Sequence, residues 1–92
     1  MKHEFVYAFE ENKTNELTLE YSPDGDDEIQ VQLQEDGPPI LFLNRSGAVA
    51  LAKILLKMSL GPYTGGFHLH LHEDFVYDKP ECMIVTLVEP AE

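Results

Sequence analysis

The sequence is short of three things. It has one cysteine, six basic side chains against 17 acidic ones, and no apolar run long enough to cross a membrane. A lone cysteine, Cys82, closes no intramolecular disulfide, which is compatible with a reducing compartment. A membrane-spanning helix needs about 20 consecutive apolar residues, and the longest helical candidate is interrupted by Lys53 and Lys57. The opening residues Met1-Lys2-His3-Glu4 lack the apolar stretch of a secretory signal. A cytoplasmic location is therefore expected. The shortage of positive charge leaves a net charge of −11. Such a surface repels nucleic acid and anionic membrane and attracts basic partners. Gly-rich phosphate loops and serine nucleophile elbows are also missing. The chain reads as a non-enzyme.

What is present is enough for a fold. The chain has 92 residues, 43% of them hydrophobic. That is one small α+β domain spanning 1–92, which buries roughly 60–65% of its unfolded surface. The acids are segregated. Residues 1–36 hold eleven acids and two lysines, and residues 67–92 hold six acids and Lys79. Residues 37–66 hold Arg45, Lys53 and Lys57 with no acid.

Hydrophobic periodicity sets the elements. Glu4–Glu10 alternates, with Phe5, Tyr7 and Phe9 on one side. Glu16–Tyr21 alternates more cleanly, setting Leu17, Leu19 and Tyr21 against Glu16, Thr18 and Glu20. A turn centred on Asp24-Gly25 follows. Glu28–Gln34 sets Ile29, Val31 and Leu33 against Gln30, Gln32 and Gln34. Ile40–Leu43 is a short apolar run, a strand buried on both sides or a lead into the helix. Asn44 or Ser46 can cap a helix over Ala48–Leu60. Its core face centres on Leu55 with Ala48, Leu51, Ala52 and Met58, opposite Lys53 and Lys57. Val49, Leu56 and Leu60 fall toward the lysine side. They either lie under a loop or form an apolar strip that meets a partner, including a second copy in a homodimer. After Gly61-Pro62, Phe67–His72 is a strand with its leucines on one face and its histidines on the other. Met83–Val88, apolar on both faces, closes the chain as a central strand. The expected order is β-β-β-β-α-β-β, an antiparallel sheet with one helix on one face.

The uncovered face should then show Glu16, Glu20, Gln30, Gln32, His68, His70 and His72, a polar surface suited to binding a partner. The three histidines alone could carry metal chemistry. Alternate residues of a strand lie roughly 6.6–7 Å apart, and an HxH pair can converge on one zinc at about 2.0–2.1 Å. The pattern His68-x-His70-x-His72-Glu73 departs from the metallo-β-lactamase and cupin motifs. Imidazoles on a wet face paired with carboxylates are the plainer reading. Asp24-Gly25-Asp26-Asp27-Glu28 lacks the spacing of a calcium loop, and Cys82 has no basic neighbour in sequence to activate it.

From the helix onward the chain resembles the bacterial immunity protein 32 family. The features that carry the resemblance are the helix Ala48–Leu60, the break Gly61–Gly66, the strand His68-Leu69-His70-Leu71 and the closing Glu81-Cys82-Met83-Ile84-Val85. His68 and His70 match the family's motif. Its usual acid after them is replaced by His72, with Glu73-Asp74 following. The resemblance implies a small α+β protein that protects a cell by binding a polymorphic toxin stoichiometrically.

Overall fold

The computed structural model describes residues 1–10 and 25–89. Its elements are β1 (Ile29–Gln32), β2 (Ile40–Leu43), α1 (Arg45–Leu60), β3 (His68–His72), a 3-10 turn (Glu73–Phe75) and β4 (Glu81–Thr86). The α+β class is as expected, with one helix. The single sheet is not what the described residues form. They form two antiparallel ladders of two strands each, β1–β2 and β3–β4. β4 also meets β1, where Cys82 Sγ lies 4.0 Å from the Ile29 carbonyl oxygen.

Residues 1–10 have no strand assignment. Their aromatic side chains still line up, with Phe5–Tyr7 and Tyr7–Phe9 ring centroids 6.3 and 5.8 Å apart. The alternation therefore sets three rings on one side without a strand pairing among the described residues. The segment lies against α1, with Lys53 Nζ 5.3 Å from the Tyr7 ring centre and Lys57 Nζ 6.0 Å from that of Phe9. The expected strand Glu16–Tyr21 lies outside the described residues.

Asn44 starts the helix. Its Oδ1 accepts from Gly47 N–H at 2.8 Å, supplying a partner for one of the donors that a helix start leaves unpaired. The same oxygen accepts from Glu28 N–H at 2.9 Å, and Asn44 Nδ2 donates to the Asp26 carbonyl. One side chain thus fastens the entry of β1 to the start of α1. At the other end Gly61 N–H donates to the Lys57 carbonyl, and Pro62 cannot continue the ladder.

The core consists of Ile29, Ala50, Ile54, Met58, Leu71 and Phe75. Leu69, Met83, Val85 and Leu87 of the second ladder pack on it, together with Leu43, Leu51 and Phe67. The helix therefore covers the leucine face of β3–β4, as expected. Its own buried face is different from the expected one. Ile54 is 2% exposed and Leu55 is 46% exposed. The buried side chains sit at Ala50, Ile54, Lys57 and Met58. That face is turned by about one residue's 100° from one centred on Leu55. Lys57 is buried because its alkyl stem runs along protein toward Phe9. β2 takes the second of its two expected forms and leads through Asn44 straight into α1. Ile40, Leu41 and Phe42 are all partly exposed, so the strand is not buried on both sides.

Phe75 reaches the core through a strained turn. Asp74 and Phe75 have φ of 53° and 59°, each costing about 1–2 kcal/mol in an L-residue. Burying Phe75 returns about 1.5–3 kcal/mol. Hydrogen bonds from Glu73 N–H to the Pro80 carbonyl and from Val76 N–H to the Glu73 carbonyl close the loop around it.

Candidate functional site

Two polar surfaces stand out, and they belong to different ladders. The first is the histidine side of β3–β4. His68 pairs with Thr86 and His70 with Ile84 across the ladder. His68 and His70 are exposed, while His72 is half-buried. The rings of His68 and His70 are 5.4 Å apart, edge to face. Each of the three histidines has Nδ1 against an oxygen: His68 to the Gly66 carbonyl at 3.2 Å, His70 to Glu81 Oε2 at 2.7 Å, His72 to the Lys79 carbonyl at 2.8 Å.

The Glu81 contact depends on a bulge. The register runs regularly from His68↔Thr86 to Leu71↔Met83, then shifts so that Glu81 lies opposite His72. Regular alternation would place Cys82 there and turn Glu81 to the core side. The extra residue re-aims Glu81 onto the histidine side, where its carboxylate reaches His70. Period-two reading missed Glu81 for this reason. The useful signal was the polar Glu81 standing in the same phase as the apolar Met83 and Val85.

The second surface is an open cleft of about 400 Å³ between the first ladder and the strained turn. Ile29, Phe42 and Leu43 line it together with Glu28, Gln30, Asn44, Glu73 and Asp74. Asp74 is engaged by Lys79, whose Nζ lies 2.5 Å from Oδ2. That hydrogen bond raises the Lys79 pKa above its ordinary 10.5, opposed by partial desolvation and helped by the charges of Asp74 and Glu73. An aromatic wall beside carboxylates suits a guanidinium or ammonium side chain, by cation–π contact and charge-assisted hydrogen bonds.

The expected partner-binding residues are thus divided. Gln30 and Gln32 are exposed on β1, with Gln30 at the cleft. His68, His70 and His72 lie on β3. Glu16 and Glu20 are outside the described residues. Val49, Leu56 and Leu60 are exposed at 41, 37 and 65%, and Leu55 joins them. For the metal reading, no group of three or more His, Cys, Asp or Glu side chains among the described residues is placed to hold an ion. His70 has Glu81 as an orienting carboxylate, but its cross-strand neighbour Ile84 offers no nucleophile. Cys82 is half-buried and free of disulfides.

These features define a small α+β protein, with one α-helix and two antiparallel ladders among the described residues. No protein family, characterised protein or solved structure matches the chain. No helix among the described residues is long and apolar enough to cross a membrane.

Proposed function

We propose that the protein is a small acidic binding protein that acts stoichiometrically and without catalysis on a basic protein partner, in the manner of a cytoplasmic immunity protein that neutralises a toxin. The observation that carries this reading is the charge. Seventeen acids against six bases leave −11 on 92 residues, and no acid falls between positions 37 and 66. A strongly acidic surface speeds encounter with a basic protein and complements a basic active site. Nucleic acid and anionic membrane carry the wrong sign. The cleft beside Phe42 supplies a place where one cationic side chain of the partner can lodge. The resemblance of the helix, Gly-rich break and histidine strand to the immunity protein 32 family suggests the biological role.

The test is to sequence the flanking genes and co-express the protein with any toxin-like product they encode. A complex of one copy each should form, and its affinity should fall roughly tenfold or more as salt rises well past the physiological level. Glu28→Lys combined with Glu73→Lys should slow association more than it speeds dissociation. A neighbour's product that does not bind, or a complex indifferent to salt, overturns the reading.

A further inference from the structure

We propose that His68 and His70 form a two-imidazole site for a zinc-class divalent cation on the open side of the β3–β4 ladder, ligating through their Nε2 atoms with Glu81 as the orienting carboxylate. The acceptors facing the rings fix the tautomer. The atoms facing Nδ1 of His68, His70 and His72 are a carbonyl, a carboxylate and a carbonyl oxygen. The two carbonyls can only accept, and the Glu81 carboxylate oxygen is placed to accept as well. Nδ1 therefore carries the hydrogen in each ring. In the neutral imidazole the lone pair then sits on Nε2. An Nδ1–H bonded to a carboxylate or backbone carbonyl is the arrangement that fixes the tautomer and orientation of metal-ligating histidines, and it raises their basicity.

Spacing is the second observation, independent of the first. With zinc about 2.0–2.1 Å from each nitrogen, the centre of a ligating ring lies about 3.2 Å from the ion. Two rings at a tetrahedral angle then have centres about 5.2 Å apart. The His68 and His70 ring centres are 5.4 Å apart. The observed separation matches that of two rings sharing one ion.

Exposure is the third. The His70 side chain is 45% exposed and His68 is exposed, so an ion reaches them without opening the core. His72 is anchored in the same way, but it is half-buried and lies beyond the bulge. The proposal assigns it no ligand role. With two protein ligands the remaining positions fall to water, which makes an exchangeable site open to a further ligand.

The bulge gains a purpose in this reading. Bulges recur beside functional sites because they re-aim a side chain. Here the re-aimed side chain is the one that holds His70. The inference stands independently of the partner proposed above, since no partner enters it.

The experiment is calorimetric titration of zinc chloride into the untagged full chain, at a pH where imidazole is neutral. All proteins carry His3→Gln, which removes the histidine next to the amino terminus. One zinc per chain is expected. His68→Gln and His70→Gln should each weaken binding at least about tenfold, and Glu81→Ala about 10–100-fold. His72→Gln should leave it unchanged. All four positions lie on the ladder's polar side, so far-UV circular dichroism should match the parent. In the metal-free protein, long-range ¹H–¹⁵N NMR should show Nε2 as the unprotonated nitrogen in His68 and His70. Absence of zinc binding overturns the proposal. So does binding that survives both His68→Gln and His70→Gln, which would assign the ion to surface carboxylates, and so does an equal loss in His72→Gln.

Discussion

Replacing Gly47 by alanine separates local preference from tertiary packing, because the two have opposite signs there. Gly47 is buried in the first turn of α1. Helix propensity alone favours alanine over glycine by about 1 kcal/mol. The surroundings oppose it. A Cβ at this position would lie 2.1 Å from the Glu28 carbonyl oxygen and 3.0 Å from its carbon, and 2.8 Å from Asn44 Oδ1. The Glu28 atoms are backbone and cannot swing aside. Relief requires the segment entering β1 to move away from the helix, which breaks two hydrogen bonds of Asn44, from Glu28 N–H and to the Asp26 carbonyl. At about 1 kcal/mol each, with about 1–3 kcal/mol of residual overpacking, the loss is about 3–5 kcal/mol. The propensity gain leaves a net destabilisation of about 2–4 kcal/mol. In a domain of this size each kcal/mol moves Tm by about 4–8 °C, so the melting point should fall by at least about 8 °C. Urea and thermal unfolding followed by circular dichroism measure it. Ser59→Ala, at an exposed position of the same helix, serves as the control and should stabilise by a few tenths of a kcal/mol. A Gly47→Ala protein that melts at or above the parent temperature would refute the close approach of helix and β1 entry.

Adjacent helix positions should give very different results. Ile54→Ala should cost about 2–5 kcal/mol through lost burial and a cavity, whereas Leu55→Ala should stay below about 1 kcal/mol; equal losses in urea unfolding would place the core on the wrong face. The alkaline limb of stability should carry a contribution from Lys79. Its folded pKa is raised above 10.5 by Asp74, so its ion pair adds stability below the ordinary value and loses it as pH rises through the raised one. The contact is surface-exposed and the effect small. NMR titration of the Lys79 ε-methylene should show a lower midpoint in Asp74→Asn than in the parent, and identical midpoints would exclude the pairing.

Parts of this architecture were legible in the sequence, and the reasons are local. Asn44 could be read as a cap because capping depends on one side chain and the next three residues. The two faces of β3 could be read because Leu69 and Leu71 differ so strongly from the histidines between them. The buried face of α1 could not. Apolar side chains occur all round this helix, so its period points weakly, and the lysines that seemed to mark the wet side extend over Tyr7 and Phe9. Phe75 was hidden in the polar run 73–81 because a left-handed turn, invisible to periodicity, delivers it to the core. Glu81 was hidden because alternation carries through a strand only until a register shift. On the functional side, the residues of the histidine strand were recognisable. Their ring nitrogens' partners, two of them backbone carbonyls, were not.

The bulge at Leu71/His72 also has a mechanical meaning. A two-stranded ladder is marginal by itself, and this chain has two of them. Cys82, the surplus residue of the bulge, reaches toward the Ile29 carbonyl of the other ladder. The site where the ladder is least regular is therefore one place where the two hairpins meet. Each marginal hairpin there borrows support from its neighbour.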